Sequence, residues 1–259
     1  MQDSDILDRG AGPALVFSHG TLLDRTMFDP QIAALSDRYR TIAYTSRAGT
    51  SRYGTERCLD DLVSDCLDVA DGAGVERFVL VGMSVGGFMG IELALKHPHR
   101  LAGLVLVSSM ADAYTAEERA QFGELLEPMN TEEPISAEFA AAFVPVIFGP
   151  RTIEENPAHV QRWVTKWRAR PSRSVWGEYR SWIDREDRLA RLGEITVPTL
   201  IIHAEDDGGI PIARAEAMHA RLPHSTFVRV PGSGHLVTEE QPGAVNQALR
   251  HFVEGMAPW

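Results

Sequence analysis

The sequence is poor in cysteine and lacks clustered metal ligands. Its 259 residues include two cysteines, Cys58 and Cys66, within one segment of helical periodicity. That spacing spans about 12 Å of helix, whereas a disulfide needs Cα atoms within about 7 Å, so the two cannot pair. Both are expected to be buried thiols. No cysteine and histidine cluster has metal-ligand spacing, so no metal site is expected.

Membrane and secretion signals are also missing. No apolar run approaches the about 20 residues of a membrane-spanning helix. The stretch from Met1 to Asp8 is acidic and lacks the apolar core of a signal peptide. We therefore expect a cytoplasmic location and no membrane partner.

Positively charged residues are fewer than negatively charged ones: the chain has 25 lysines and arginines and 36 aspartates and glutamates, for a net charge of −11. Such a chain is repelled by nucleic acid and by anionic membrane surfaces, so neither is an expected partner. The charge leaves a small-molecule substrate open, because local charge can differ from the total. No feature of the sequence specifies an oligomeric state.

Hydrophobic residues make up 44% and charged residues 24% of the chain, which is ordinary for a globular α/β protein. Short apolar runs alternate with helical segments, a pattern typical of a parallel sheet covered on both faces. The predicted strands are Ile6–Asp8, Ala14–Phe17, Thr41–Tyr44, Phe78–Val81, Leu104–Val107, Thr199–His203 and Thr226–Val230. The predicted helices outside residues 110–193 are Met27–Leu35, Leu59–Ala70, Phe88–His97 and Ala244–Glu254.

Residues 110–193 interrupt this alternation. No strand pattern occurs there, and prolines divide the segment into several helices. The segment is too long for a simple crossover. We interpret residues 110–193 as a helical lid over the carboxyl edge of the sheet, and residues 1–109 and 194–259 as the core domain. The dividing prolines are Pro128, Pro134, Pro145, Pro150, Pro157 and Pro171.

Four of the five tryptophans lie in this predicted lid. Trp163 and Trp167 share a helical face with Val160 and Val164. Two interpretations are open: the aromatic residues line a pocket for an apolar or aromatic substrate, or they form the core of the lid itself. Trp163, Trp167 and Leu22 are the candidate substrate contacts.

The most informative stretch follows the fourth predicted strand, where positions 82–86 read G-x-S-x-G with Ser84 at the centre. A serine at such a strand-to-helix turn has its hydroxyl exposed at a helix N-terminus. The free N–H groups and partial positive charge of that terminus suit a developing oxyanion. Ser84 is the predicted nucleophile.

A serine nucleophile needs a base, and the base needs a group to orient it. His235 ends a glycine-rich loop directly after the last predicted strand, so it is the candidate base. The acid should follow the preceding strand, where Asp207 is favoured and Asp206 is second. The order serine, aspartate, histidine is the one used by hydrolases with this turn. Asp112, after another strand, is a weaker alternative.

An oxyanion hole needs two backbone donors aimed at one point. The N–H of Val85 directly follows the nucleophile and is the first candidate. The second is the N–H of Thr21, in the turn after His19 and Gly20, with Leu22 as the alternative. His19 is expected to hold this loop by hydrogen bonds.

Together these motifs resemble the α/β-hydrolase family, in its lidded esterase, lactonase and perhydrolase group, over nearly the whole chain outside the lid. Residues 18–30 are also similar to the matching stretch of 3-oxoadipate enol-lactonases. The resemblance implies a mostly parallel sheet with helices on both faces, an all-helical lid inserted between strands, and no cofactor. It rests on Ser18-His19-Gly20, Gly82-Met83-Ser84-Val85-Gly86-Gly87, Asp207 before Pro211, and Gly234-His235 followed by Glu240-Gln241-Pro242.

Two features depart from the family pattern. The loop at residues 45–51 is short and lacks the family's acid and histidine, and this loop borders the family's pocket. The N-terminus is also short, and we expect the family's first strand to be missing there. A serine nucleophile argues against haloalkane dehalogenases and epoxide hydrolases, which the family resemblance would otherwise include.

The leading hypothesis is a cofactor-free serine hydrolase that cleaves a carboxylic ester or lactone through an acyl-enzyme. A perhydrolase that uses peroxide as acyl acceptor and a carbon–carbon bond hydrolase share the same triad and remain alternatives. A third hypothesis, from another class, is a ligand-binding protein similar to receptors of this fold. Slow turnover with a stable covalent adduct, or with a ligand-induced rearrangement of the lid, would mark that third case.

Overall fold

The structure is a computed structural model that describes residues 5–55 and 58–256. Seven strands form one sheet: β1 (Ile6–Arg9), β2 (Ala14–Ser18), β3 (Arg40–Tyr44), β4 (Phe78–Met83), β5 (Leu101–Val107), β6 (Thr199–Ala204) and β7 (Ser225–Val230). Their order in space is β1-β3-β2-β4-β5-β6-β7. Only β1 runs antiparallel to its neighbour among these strands. The predicted mostly parallel α/β sheet is confirmed.

Every residue of β2, β4, β5 and β6 is buried. Both faces of the sheet are covered, so both sets of side chains along each strand are apolar and the apolar runs are continuous. The α-helices of the described residues are α1 (Asp29–Leu35), α2 (Leu59–Gly72), α3 (Val85–Lys96), α4 (Ala116–Leu126), α5 (Ala137–Ile147), α6 (Pro150–Glu155), α7 (Pro157–Arg168), α8 (Ser172–Trp182), α9 (Ile212–His219), α10 (Val237–Glu240) and α11 (Pro242–Glu254).

Helices α3 and α11 cover opposite faces of the sheet. Gly90 of α3 approaches Leu80 and Leu104, whereas Gly103 approaches Phe252 of α11. Consecutive residues of a strand point to opposite faces, so the neighbours of positions 103 and 104 identify the two faces. The sheet is therefore enclosed between two layers of helix.

The strand order reverses between β2 and β4. The chain leaves β2 for β3 on one side and returns through α2 to β4 on the other side. Ser18 at the end of β2 pairs with Gly82 near the end of β4. In open α/β sheets, ligands bind in the crevice where the strand order reverses, beyond the carboxyl ends of the strands. The turn at Ser84 and the loop at Thr21 leave this crevice side by side.

Helices α4 to α8 lie between β5 and β6, and we call residues 110–193 the helical insertion. Three of its six prolines, Pro150, Pro157 and Pro171, lie at or next to the starts of α6, α7 and α8, where breaks between helices were expected. The break expected at Pro145 is wrong, because Pro145 lies inside α5. It occupies the last turn, two residues before the helix ends at Ile147, where a missing N–H removes little of the helix.

Several boundaries differ from the sequence prediction. A 3₁₀ helix (Arg25–Phe28) precedes α1, because the side chain of Asp24 accepts the N–H of Thr26 and caps it separately. Helix α3 begins at Val85 rather than Phe88, directly after Ser84. Two glycines in its first turn weaken helix propensity, but the buried position of the helix compensates.

Cys58 corrects the expectation that both cysteines are buried. It is exposed at the residue before α2, whereas Cys66 is buried within the helix. The N–H of Cys58 donates to the carboxylate of Asp61, so the residue acts as the helix cap and faces solvent there.

The described part of the chain contains no helix that is long and apolar enough to cross a membrane. Across the same residues, no three or more histidine, cysteine or acidic side chains gather as a metal site. The expectation that residues 1–8 contain no signal peptide falls partly outside the structure, because residues 1–4 are not among the described residues.

Gly86 provides a test of the close approach between α3 and β2. A Cβ on Gly86 would meet the backbone carbonyl of Ser18, which cannot move without disturbing the sheet. We expect Gly86→Ala to lower the free energy of unfolding by about 3 kcal/mol or more. The control is Gly72→Ala, where a Cβ meets nothing within 4 Å. Urea denaturation measures both; equal stability of Gly86→Ala and wild type would contradict the packing argument.

Candidate active site

Ser84 lies at the turn between β4 and α3, with a backbone φ of 52° and ψ of −115°. A positive φ is uncommon for serine and persists only where the surroundings enforce it. Its N–H donates to the carbonyl of Val107 at 2.9 Å, and its carbonyl accepts the N–H of Gly87 at 2.8 Å. A Cβ on Gly82 would collide with the backbone of Gly86. The two glycines thus permit the tight turn that exposes the serine side chain.

His19 organises the loop after β2. Its Nε2 accepts the N–H of Ser46 at 2.8 Å, so Nδ1 carries the proton and donates to the carbonyl of Gly20 at 2.8 Å. Burial lowers the pKa of His19 to about 4, so the ring is neutral at neutral pH. A peptide bond is planar and trans, so holding the carbonyl of Gly20 also fixes the N–H of Thr21 in the opposite direction.

Thr21 and Leu22 were both candidates for the second oxyanion donor. The N–H of Leu22 donates to the buried carboxylate of Glu178 at 3.2 Å, so that donor is occupied. Thr21 lines the same cavity as Ser84. The N–H of Val85 is the first in α3 and has no acceptor within the helix. The geometry favours Thr21 over Leu22 as the partner of Val85.

Asp207 and His235 follow β6 and β7 and form a close pair. Nδ1 of His235 lies 2.9 Å from both carboxylate oxygens of Asp207. The N–H groups of Gly209 and Ile210 also donate to Asp207, at 2.9 and 2.8 Å. Burial by itself raises the pKa of Asp207, but His235 and these hydrogen bonds outweigh it and hold the pKa below its usual value. An ionised Asp207 keeps a proton on Nδ1, which leaves Nε2 able to accept one.

The two alternative acids lie elsewhere. Asp206 is exposed to solvent. Asp112 pairs with Arg214 at 2.8 Å. Of the three aspartates considered, Asp207 is the one that the structure brings to His235.

Buried His203 and half-buried Glu240 support this pair, and sequence reasoning assigned a role to neither. Nε2 of His203 donates to the carbonyl of Ile210 at 2.8 Å and lies 3.4 Å from the carboxylate of Asp207. Glu240 accepts the N–H of Gly234 at 3.0 Å and that of Gly149 at 2.9 Å. Hydrogen bonds from His203 and to Glu240 therefore stabilise the loops that carry Asp207 and His235.

Ser84, His235 and Thr21 line one small cavity. The space open to the centre of a water molecule is about 50 Å³, roughly room for four waters. The other lining side chains are apolar or aromatic, and most come from the helical insertion. They are Phe88 and Ile210 from the core, and Tyr114, Phe122, Phe143, Val146, Ile147 and Trp182 from the insertion.

The predicted substrate contacts Trp163, Trp167 and Leu22 are not among the residues that line this cavity. The indole of Trp163 donates to Glu239 at 2.7 Å. Trp167 is fully buried, and so is Leu22. The tryptophan stripe therefore packs the insertion, and Trp182 reaches the cavity instead. Nothing in the sequence distinguishes Trp182 from the others, because helical spacing does not show which neighbour a face meets.

The short loop at residues 45–51 packs against other elements instead of lining the cavity. Arg47 donates to Asp65 at 2.5 and 3.0 Å. Arg170 of the insertion donates to the carbonyl of Ala48 at 2.8 Å. The loop thus joins the core to the insertion.

The low pKa of His19 predicts a pH dependence of stability. The pKa is about 4 in the folded chain and about 6.5 in the unfolded chain. The unfolded chain therefore binds a proton first, so this stability is fully present above about pH 6.5 and is lost as the pH falls towards 4. The loss amounts to about 3 kcal/mol.

His19→Asn removes the titrating group. The stability advantage of wild type over His19→Asn should therefore shrink by about 3 kcal/mol between about pH 7.5 and pH 4. Urea denaturation at several pH values measures this difference. Exposed His99→Asn is the control for loss of a histidine. A stability advantage that stays constant with pH would contradict the burial argument for His19.

Solved structures and curated proteins are similar to this chain over nearly its full length. A thermophilic esterase from Thermogutta terrifontis superposes with a TM-score of 0.89 at 28% identity, covering 96% of this chain and 92% of the esterase. The 3-oxoadipate enol-lactonase 1 of Acinetobacter baylyi is 26% identical, covering 94% of this chain and 90% of the lactonase. A Caulobacter vibrioides protein, which carries the provisional name carbamate hydrolase RutD, is 32% identical over 87% of this chain and 84% of its own length.

The family model of the alpha/beta hydrolase fold matches residues 13–242. That span includes the turn at Ser84, the helical insertion and the loops that hold Asp207 and His235. Fold, motif positions and sequence similarity agree, and the chain belongs to the α/β-hydrolase fold family.

Proposed function

We propose that the chain is a serine hydrolase that cleaves a small carboxylic ester or lactone through an acyl-enzyme on Ser84. The supporting observation is the Asp207–His235 pair, joined at 2.9 Å, in which His235 lines one cavity with Ser84. A hydroxyl, an imidazole and an orienting carboxylate are the groups that acyl transfer requires. Similar proteins named as an esterase and an enol-lactonase support the ester and lactone class.

Acylation begins when Nε2 of His235 accepts the hydroxyl proton of Ser84 and the serine oxygen bonds to the substrate carbonyl carbon. Asp207 holds the ring in position and stabilises its positive charge. The tetrahedral intermediate then collapses, and the bond to the leaving oxygen breaks. His235 returns the proton to that oxygen, which departs as an alcohol or, from a lactone, stays attached to the acyl chain.

Deacylation repeats these steps with water. His235 takes a proton from water as the water oxygen bonds to the acyl carbon. The bond to the Ser84 oxygen then breaks, and the proton returns to Ser84 to release the carboxylic acid. Every proton in the cycle passes through Nε2 of His235, so the proposed reaction requires no cofactor.

The N–H groups of Thr21 and Val85 stabilise the negative oxygen of both tetrahedral intermediates. Donors fixed before the reaction need no rearrangement when charge develops, and each donor contributes about 10²-fold to 10³-fold in rate. The positive end of the α3 dipole acts in the same direction.

The cavity indicates the substrate class. Its walls are apolar, and its space is small, about 50 Å³, so the proposed acyl chain is short. We propose that residues 110–193 form a lid that encloses this acyl group, and that the core consists of residues 1–109 and 194–259. The substrate is thus a small molecule, and a cytoplasmic location is part of the same proposal.

The first test removes each member of the triad. Ser84→Ala should lower kcat on p-nitrophenyl acetate by about 10⁴-fold or more, because no other group supplies the nucleophile. Asp207→Asn should cost about 10³-fold to 10⁴-fold, because the imidazole loses its orienting acid. Steady-state hydrolysis measures both variants.

Asp206→Asn is the matched control, since Asp206 is the exposed neighbour of Asp207. Its activity should stay within about twofold of wild type, because surface changes away from the site have small effects. Wild-type activity in Ser84→Ala would refute the proposed mechanism. Equal losses in Asp206→Asn and Asp207→Asn would refute the assignment of the acid.

The second test concerns acyl length. Wild type should hydrolyse acetyl and butanoyl p-nitrophenyl esters much faster than the octanoyl ester. Phe143→Ala removes a ring from the cavity wall. It should raise the octanoyl-to-acetyl ratio of kcat/KM by about tenfold or more, since each methylene that fits contributes about tenfold or more.

Phe139→Ala is the control for this substitution. Phe139 stacks on Phe143 at 4.7 Å between ring centroids in the same helix, but it does not line the cavity. Its octanoyl-to-acetyl ratio should stay near that of wild type. An unchanged ratio in Phe143→Ala, or the same shift in both variants, would contradict the assignment of the cavity as the acyl site.

A further inference from the structure

Glu178 is a buried carboxylate that the proposed reaction does not use. It lies in α8 of the helical insertion and is 1% exposed. Its Oε2 accepts the N–H of Leu22 at 3.2 Å, a contact between residues 156 positions apart in the chain. A buried carboxylate is stable only where donors compensate its lost hydration, and the N–H of Leu22 is one such donor.

Leu22, whose N–H donates to Glu178, directly follows Thr21, the candidate oxyanion donor. Leu22 has a φ of 64°, a conformation that non-glycine residues rarely adopt. Such a conformation persists only when surrounding contacts enforce it. Glu178 supplies one of these contacts, because the N–H of a buried Leu22 would otherwise lack its acceptor.

Thr21 therefore stands between two fixed peptide groups. On one side, the carbonyl of Gly20 accepts Nδ1 of His19 at 2.8 Å and the N–H of Leu23 at 3.2 Å. On the other side, the N–H of Leu22 is held by Glu178. Because each peptide group is planar, these two anchors define the orientation of the residue between them.

We infer that Glu178 is a positioning residue: its hydrogen bond to Leu22 directs the N–H of Thr21 towards the oxyanion. The inference rests on the proposed acyl transfer at Ser84. It assigns the helical insertion a role in catalysis beyond enclosing the acyl group, since α8 carries the acceptor. The oxyanion hole is complete only while the insertion lies against the loop after β2.

A second contact joins the insertion to this loop without reaching the peptide groups of Thr21. Nζ of Lys166 in α7 donates to Asp24 at 2.9 Å and to the hydroxyl of Thr26 at 2.6 Å. Lys166→Met thus loosens the same two parts of the molecule but leaves the acceptor of Leu22 in place. It separates positioning of the donor from general docking of the insertion.

The experiment compares Glu178→Leu with Glu178→Gln on a short p-nitrophenyl ester. Glu178→Leu removes the acceptor, and kcat should fall about 10-fold to 100-fold with KM changed less than about threefold, because a displaced donor is lost mainly in the transition state. A short-chain trifluoromethyl ketone forms a tetrahedral adduct with an oxyanion. Its affinity should fall by the same factor as kcat/KM.

Glu178→Gln keeps an amide oxygen for Leu22, so it should retain activity and inhibitor affinity within about threefold of wild type. Glu132→Gln, an exposed change in the same insertion, should match wild type. Thermal unfolding and the ¹⁵N chemical shift of the Leu22 amide report folding and the hydrogen bond independently of activity. If Glu178→Leu does not fold, Glu178→Asp, which withdraws the acceptor by one methylene, replaces it with the same expected pattern.

Three results would overturn the inference while wild type remains active. They are unchanged kcat in a folded Glu178→Leu, a rise in KM alone with unchanged inhibitor affinity, and an equal loss in Lys166→Met. Absence of ester hydrolysis by wild type would instead refute the proposed function, so the two failures are distinguishable.

Discussion

The tight turn at Ser84 is the constraint on which the rest of the site depends. Ser84 has a φ of 52°, and glycines at positions 82 and 86 let β4, α3 and β2 approach more closely than side chains would allow. A Cβ at either position would collide with neighbouring backbone atoms. The turn places the hydroxyl and the start of α3 at one point. The adjacent strand end then supplies the loop of Thr21, because the sheet order reverses between β2 and β4.

The groups around this turn are fixed by hydrogen bonds that charge and burial reinforce. His19 is held neutral by burial, so it can accept the N–H of Ser46 and donate to Gly20 at once. Asp207 is held ionised by His235 and by two backbone donors. His19 and Asp207 thus each have the protonation state that their partners require, and this fixes their arrangement before substrate binds.

The sequence predicted the parts that depend on local pattern. Strands with continuous apolar residues, the turn at Ser84 and the placement of His235 after the last strand all follow from motifs within a few residues of each other. The choice of Asp207 over Asp206 and of Thr21 over Leu22 rested on position alone, and the contacts of His235 and Glu178 now support both.

Contacts between distant segments were beyond sequence reasoning. Trp163 and Trp167 were proposed at the pocket, but the stripe that they form meets Glu239 and the interior of the insertion. Glu178 carries no local signal, because a glutamate in an amphipathic helix ordinarily faces solvent. Pro145 was expected to break a helix and lies in its last turn. In each case the decisive neighbour is far away in the chain, and helical periodicity identifies a face without identifying what covers it.

The most direct measurement of the central claim is peptide mapping by mass spectrometry after reaction with a fluorophosphonate, a reagent that modifies only activated nucleophiles. We predict one phosphonyl group per chain on Ser84, formed in proportion to the loss of esterase activity and strongly slowed in Asp207→Asn. Complete inactivation with Ser84 unmodified, or modification at another residue that accounts for the lost activity, would contradict it.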